Sequence, residues 1–347
     1  MKKPVDAAPD DALGAAIIGC GWVAEEYVKA FQNDERSEVR VLVSRNRSNA
    51  ERYRDRYNLQ CAIETDASKM LERDDVDIVA VCTPHNAHTQ YVVAAAEAGK
   101  HIIIEKPVAL TPAEVLKQRQ AVKKNKVKTI VSFVLHWNPL LMTIDQLIEQ
   151  GVFGDIFMVE VDYLHRIWAL KWYGSLQQSG TALLTAGCHA VDALRWFARS
   201  SVEEVSAYQT STDNPAEYPG TISINVKFKD GKIGRSTTTF DAKMPYRFNI
   251  GIYGTEGTLR NNEIFAPKLF GGQNDFMKIP TILPDSGDVS HHPFQGEVSH
   301  FIDCIINDKR PFPDLDDAAK TQAVCFAADR SAESGKPVLL SEFKDLL

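Results

Sequence analysis

From Ala15 to Ala24 the chain reads Ala-Ala-Ile-Ile-Gly-Cys-Gly-Trp-Val-Ala, a strand pattern that runs into G-x-G-x-x-A and then into a helical pattern. Few backbones satisfy that order. Gly19 permits a tight turn, Gly21 lets main chain approach a pyrophosphate, and the small Ala24 lets the helix close on the strand, while the helix start leaves N–H donors open to phosphate. Gly19, Cys20, Gly21, Trp22 and Val23 are therefore candidate dinucleotide contacts. The plain alternative is a tight β-α turn that binds nothing.

A site for NAD usually carries an acidic residue about 20 positions beyond the glycines, at the end of the second strand, to hold both ribose hydroxyls. Here that place reads Val43-Ser44-Arg45-Asn46-Arg47. With no carboxylate to repel a 2′-phosphate and a guanidinium able to pair with it, Ser44 and Arg45 point to NADP(H), with NAD(H) possible. Otherwise Arg45 is an ordinary solvated arginine stacked on the adenine.

The surroundings of the loop support the strand-to-helix reading. Short apolar runs at 15–18, 39–43, 78–82, 101–104 and 128–133 alternate with helical patterns at 22–33, 46–57, 67–72, 88–98 and 112–124, the rhythm of a parallel sheet covered on both faces. Thr111 and Glu114 form a capping-box pattern before the last helix. After Pro139 the rhythm changes to a helix reaching about 150, a strand at 156–164 and a helical stretch at 183–197. Strand patterns follow at 202–212, 221–228, 232–240 and 247–253, with the hairpin dipeptide Asp230-Gly231 between two of them. Hairpin-joined strands predict an antiparallel sheet. The end is helical again, at 295–307 and 315–334, after a polar loop at 280–293.

At roughly 150 residues per domain, 347 residues predict two domains. Lys plus Arg number 39 against 46 Asp plus Glu, a formal charge of −7 with no long basic block, which argues against nucleic acid as a partner. The opening MKKPVDAAPDD has no apolar stretch behind its lysines, and no membrane-spanning segment is expected. Six cysteines are scattered singly without a C-x-x-C pair, which suits buried thiols in the cytoplasm. Nine histidines form no H-E-x-x-H or Cys/His cluster, so no metal is expected; His291-His292 and His300 read as loop or packing residues.

Three further segments carry a resemblance. Cys82-Thr83-Pro84-His85-Asn86-Ala87-His88, Glu105-Lys106-Pro107 and Gly187-Cys188-His189-Ala190-Val191-Asp192 together resemble the glucose-fructose oxidoreductase / inositol dehydrogenase family, Gfo/Idh/MocA. The likeness extends through 297–301 and the closing Arg330-Ser331-Ala332-Glu333-Ser334-Gly335-Lys336-Pro337. It implies an α/β chain with a Rossmann dinucleotide-binding domain at 1–135. An α+β domain at 136–347 follows, whose large, mostly antiparallel open sheet binds substrate and builds a homodimer or homotetramer. The implied activity is NAD(P)-dependent transfer of hydride to or from a hydroxyl or ketone of a sugar, sugar derivative or cyclitol. Alternatives on the same fold are a nucleotide-cycling glycosidase and a non-catalytic dinucleotide-sensing regulator; the intact Glu-Lys-Pro argues against the regulator.

By the same resemblance Thr83, Pro84 and His88 line the cofactor, Glu105 holds its side of the site, Lys106 reaches the reacting oxygen and His189 is the acid/base. Chemistry agrees, since hydride loss from a carbinol needs a base for the O–H proton and a positive charge near the developing alkoxide. The pattern departs from the family at Thr185, where relatives commonly carry an aspartate. Thr185 is still expected to share a helix face with His189 at the substrate cleft, with catalytic and substrate-facing roles, while Cys188 turns to the core. His189 then titrates near an ordinary ~6.5 unless Asp192 replaces the missing partner. Val134 and His136 stand where relatives often have an amide and an arginine. Trp168, Trp172 and Tyr173 offer faces for a sugar ring or for the core, and Tyr163 and His165, on one strand face, are further substrate-side candidates and rival acid/bases.

Overall fold

The computed structural model describes residues 12–166, 171–212, 214–285 and 292–347; Trp168 and His291 lie outside them. The chain divides into two compact units.

The first unit holds residues 1–108, 114–132 and 293–315. Its chain runs β1 (Leu13–Ile18), α1 (Ala24–Gln32), β2 (Ser37–Val43), α2 (Arg47–Tyr57), β3 (Ala62–Glu64), α3 (Ala67–Leu71), β4 (Ile78–Val81), α4 (His88–Glu97), β5 (His101–Ile104), most of α5 (Pro112–Asn125) and β6 (Thr129–Val131). The six strands pair in parallel in the order β3-β2-β1-β4-β5-β6. Burial on both faces explains why Ile-Val-Ala-Val and Ile-Ile-Ile carry no alternation: β4 and residues 102–104 of β5 are wholly enclosed. The short β3 had no signal of its own in the sequence.

The second unit holds 109–113, 133–292 and 316–347. It contains α6 (Pro139–Glu149), β7 (Ile156–Leu164), α7 (Leu176–Ser179), a π-helical turn (Leu183–Gly187), α8 (Cys188–Ala198), β8 (Val202–Thr210), β9 (Thr221–Phe228), β10 (Ile233–Thr239), β11 (Arg247–Gly254), β12 (Thr258–Arg260), β13 (Glu263–Phe265) and β14 (Met277–Lys278). After α9 (Phe294–Ile306), most of α10 (Leu315–Ser334) and β15 (Val338–Leu339) complete it. Its sheet has nine strands in the order β14-β13-β12-β11-β7-β10-β9-β8-β15. β9 buries Ile222, Ile224, Val226 and Phe228 and turns the residues between them outward, as a sheet with one covered face does.

The sheet is mostly antiparallel, as expected, with β7 and β10 as its one parallel pair among the described residues. The hairpin rule holds at Asp230-Gly231, where Gly231 adopts φ +90°, but β10 and β11 are not neighbours: β7, from far earlier in the chain, lies between them. The packing is also not contiguous, since 293–315, carrying α9, belongs with the first unit, whereas the sequence division placed everything after 135 in one block. α9 packs on α1 through an amphipathic face, a contact that no local pattern announces.

Candidate active site

In a parallel sheet all strands end at the same edge, and the first unit uses that edge. Gly19 follows β1, Ser44 follows β2, Thr83 lies just beyond β4, Glu105 and Lys106 follow β5, and Ser132 follows β6. The strand order reverses between β1 and β4, the place where such sheets bind ligands.

The glycine loop is held from several sides. Gly19 has φ +96° and donates its N–H to the Val43 carbonyl at 2.8 Å; a Cβ there would meet the Cys82 carbonyl oxygen at 2.5 Å, so only glycine fits. Cys20 is buried, with its thiol 3.8 Å from the same Val43 carbonyl. Tyr53 of α2 donates its hydroxyl to the Gly21 carbonyl at 2.7 Å, an anchor that the sequence did not reveal. A Cβ on Gly21 would meet nothing within 4 Å, so this glycine faces open space that a ligand can enter. Trp22 is exposed, Val23 is partly exposed, and α1 begins without a side-chain cap, leaving its first N–H groups available. Thr83 Oγ1 is buried and has no hydrogen-bond partner among the described residues. Open space at Gly21, uncapped N–H donors and an orphaned hydroxyl at one sheet edge fit a dinucleotide. Ser44 is buried, and Arg45 is exposed at the end of β2.

His88 works differently from its expected place against the cofactor. It is fully enclosed, with Nδ1 2.8 Å from the Pro107 carbonyl and Nε2 3.0 Å from the Thr83 carbonyl, and burial pushes its pKa down. A neutral imidazole donates to only one of the two carbonyls, so the ring bonds to one turn and packs against the other, between Thr83-Pro84 and Glu105-Lys106-Pro107. Glu105 is buried beside Lys106 and accepts the Lys106 main-chain N–H at 3.2 Å and the Tyr27 hydroxyl at 2.9 Å. Tyr27 Oη lies 2.5 Å from Ser132 Oγ, which lies 2.9 Å from Glu297 Oε1 on α9. Burial pushes both carboxyls up, Glu297 far above the usual range, while the Lys106 charge opposes the rise at Glu105. Tyr27, Ser132 and Glu297 were not foreseen as site residues, although 297–301 carried part of the family likeness.

In the second unit His189 lies in the first turn of α8, almost wholly buried, with the Phe133 ring edge-on at 5.8 Å. Gly187 before it is needed for close packing, because a Cβ would meet Thr238 Oγ1 of β10 at 2.3 Å. Thr185 is not at an open cleft. It sits in the π-helical turn, is fully buried, and donates its hydroxyl to the Ser179 carbonyl at 2.9 Å. What departs from the expectation is burial: Thr185 is enclosed and its hydroxyl is used by the Ser179 carbonyl, so it offers no exposed surface to a cleft. Cys188 is in the core, as expected.

Asp192 does not stand in for the missing aspartate. His136 Nε2 lies 2.7 Å from Asp192 Oδ2, Thr321 donates its hydroxyl to Oδ1 at 3.0 Å, and Arg195 donates to Thr321 at 2.6 Å. His136 also stacks on Trp196 at 4.0 Å.

Tyr163 and His165 do meet, ring centroids 6.4 Å apart, and Tyr246 packs edge-on to both at 5.2 Å. His165 Nδ1 and the Tyr246 hydroxyl are buried with no hydrogen-bond partner among the described residues. Burial pushes the His165 pKa down and the Tyr163 phenol well up. Tyr246 is the member of this group that sequence reasoning missed, since it lies in a turn before β11 with no motif around it. Trp172 is partly exposed and packs on Tyr173 at 4.4 Å. Among the described residues no group of three or more His, Cys, Asp or Glu is placed to hold a metal ion, and no helix is long and apolar enough to cross a membrane. His300 lies inside α9, where its Nε2 accepts the Phe312 main-chain N–H at 3.2 Å.

The chain is similar to scyllo-inositol 2-dehydrogenase (NAD(+)) of Bacillus subtilis strain 168, at 26% identity over 284 residues covering 79% of this chain and 81% of that one. Its fold is also that of a levoglucosan dehydrogenase solved with NADH, at TM-score 0.87, 21% identity and 95% and 99% coverage. The WlbA dehydrogenase of Bordetella pertussis, solved with NADH and UDP-GlcNAcA, superposes at TM-score 0.83 with 23% identity over 95% of this chain and 98% of that one. Residues 13–133 match the model of an oxidoreductase family with an NAD-binding Rossmann fold, and residues 141–260 match that of the GFO/IDH/MocA C-terminal domain. With both halves matched in order, the chain belongs to the Gfo/Idh/MocA family of oxidoreductases.

Proposed function

We propose that the protein is an NAD(P)-dependent dehydrogenase or reductase acting on a hydroxyl or ketone of a sugar, sugar derivative or cyclitol. The observation that carries this is the carboxyl edge of the parallel sheet, where Gly21 faces open space, Thr83 has an unmet hydroxyl and Lys106 follows β5. The substrate class follows the relative named for scyllo-inositol and the fold neighbours solved with levoglucosan and a sugar nucleotide.

Main-chain N–H groups of residues 20–24 hold the pyrophosphate, and Arg45 pairs with a 2′-phosphate, which makes NADP(H) the preferred cofactor. No acidic side chain follows β2 to compete for the ribose. The nicotinamide, when bound, supplies the hydride acceptor or donor. His189 takes the carbinol proton on oxidation and returns it on reduction, and the Lys106 ammonium stabilises the developing alkoxide. Glu105 orients Lys106, and the buried His88 ring packs between the two turns that present Thr83 and Lys106. Tyr163, His165 and Tyr246 offer hydrogen-bonding and aromatic surface to the substrate.

Nicotinamide absorbance measured across inositols, aldoses, ketoses and their keto derivatives, with each cofactor, tests the reading. Turnover with at least one cyclitol or sugar, faster with NADP(H) than with NAD(H), is expected. Absence of any absorbance change together with release of a glycoside leaving group would replace it with the nucleotide-cycling glycosidase.

A further inference from the structure

Three oxygen-to-oxygen contacts run in series through the core of the first unit. Glu105 Oε1 to Tyr27 Oη is 2.9 Å, Tyr27 Oη to Ser132 Oγ is 2.5 Å, and Ser132 Oγ to Glu297 Oε1 is 2.9 Å. Oxygens this close need a proton between them, because facing lone pairs repel. Tyr27 and Ser132 bring one hydroxyl proton each. Three contacts and two hydroxyl protons leave one proton to be supplied by a carboxyl.

Which carboxyl holds it follows from the surroundings. Glu105 has the Lys106 charge beside it and the Lys106 main-chain N–H on Oε2 at 3.2 Å, and both favour its anion. Glu297 has only Ser132 on one oxygen, while its Oε2 is buried with no hydrogen-bond partner among the described residues. An unmet carbonyl oxygen of a neutral acid is a far smaller burden there than an unmet carboxylate oxygen.

We propose that Glu297 is a buried carboxylic acid and the far end of a one-proton chain, Glu297 to Ser132 to Tyr27 to Glu105, that keeps Glu105 ionised and aimed beside Lys106. Glu297 donates to Ser132, Ser132 to Tyr27 and Tyr27 to Glu105, so every hydroxyl in the chain both donates and accepts. If Lys106 gives up its charge, the same three bonds carry one proton from Glu297 to Glu105 and leave the negative charge on Glu297. No other atom or electron moves. The remaining titratable groups facing the pair are Lys106 and Cys82, the latter a thiol that burial, with the Glu105 charge, pushes well up, with Cys20 behind it. Glu297, Ser132 and Tyr27 are thus positioning residues for Lys106. This consequence rests on the reading of Lys106 given above, whereas the protonation of Glu297 does not.

Infrared difference spectra of the full-length protein at neutral pH, unmodified against Glu297→Gln, test the protonation without turnover. The unmodified protein is expected to show a protonated-carboxyl carbonyl band that shifts in heavy water and vanishes in Glu297→Gln but persists in Glu105→Gln. Loss of carboxylate bands alone would overturn the proposal, and so would disappearance of the acid band only in Glu105→Gln. Should Glu297→Gln fail to fold, Ser132→Ala serves in its place, since the acid loses its acceptor and its band must shift; an unmoved band refutes the chain. For the kinetic consequence, Tyr27→Phe removes a donor from Glu105, favours its protonation and so moves the alkaline limb of the kcat profile to lower pH. An unmoved limb in a folded Tyr27→Phe protein that still binds nucleotide would remove the link to Lys106. If the protein instead shows no dehydrogenase turnover at all, the infrared bands still decide the proton's place.

Discussion

The two units build their chemistry from different material. In the first, the candidate site is made of turns at the ends of parallel strands, with Gly19 at φ +96° and one buried histidine ring between the Thr83 and Pro107 carbonyls. In the second, the candidate groups depend on side chains far apart in sequence: Asp192 meets His136 across 56 positions and Thr321 across 129. Main-chain sites tolerate little change in residue type at the turns yet announce themselves as motifs. Side-chain sites leave their partners unannounced in the motif, as Asp192 does by meeting His136.

The sharpest way to break this contrast is kinetic. His189→Ala is expected to cost ~10²–10⁴ in the proton-coupled step, and Lys106→Met on the order of a hundredfold or more in kcat with nucleotide affinity retained. Titrating nucleotide fluorescence alongside turnover separates the two effects. Near-normal turnover of Lys106→Met would make the lysine structural, and near-normal turnover of His189→Ala, with loss on replacing Tyr163 or His165, would move the acid/base to the strand.

Next in size is a glycine pair. Gly19→Ala drives a Cβ into the Cys82 carbonyl at positive φ and is expected to destabilise the protein by on the order of 2–4 kcal/mol. Gly21→Ala has room and should fold normally while weakening nucleotide binding. Denaturant midpoints and nucleotide titrations on both variants settle it, and equal stabilities would show that the loop is less rigid than its contacts require.

Arg45→Ala is a smaller change. Loss of one charge-assisted contact predicts a penalty of ~1.5–3 kcal/mol for NADPH and almost none for NADH. Equal affinity of the unmodified protein for the two nucleotides would remove the basis for an NADP(H) preference.

The smallest effect is in the second unit. Burial, with Glu333 nearby, pushes the Asp329 carboxyl up to about 7, while Thr181 holds it by one hydrogen bond at 2.9 Å. A carboxyl raised in the folded state stabilises through its acid form. That contribution is full below its unfolded pKa of ~3.9 and is lost as pH rises through about 7. Asp329→Asn should therefore gain on the unmodified protein by on the order of 1 kcal/mol in passing from about pH 5 to about pH 8, allowing for the side chain's partial exposure. A pH-independent difference in denaturation midpoint would show that Asp329 is ionised throughout.

What the amino-acid order determined by itself is the part governed by local rules. The strand-loop-helix at 15–24, the alternation over 13–131, the strand bounds at 156–164 and 221–228 and the helix at 315–334 follow from periodicity and from glycine and proline chemistry. Each of these needs only neighbours within a few residues. The tertiary structure alone decided that β7 enters the second sheet between β10 and β11, that α9 returns to the first unit, and that Glu297 meets Ser132 across 165 positions. It also decided that Thr185 lies enclosed in a π turn with its hydroxyl on the Ser179 carbonyl rather than at an open cleft. Such pairings are selected by the burial of whole faces and by satisfaction of enclosed polar groups, which are sums over the folded chain and leave no mark in any short stretch of it.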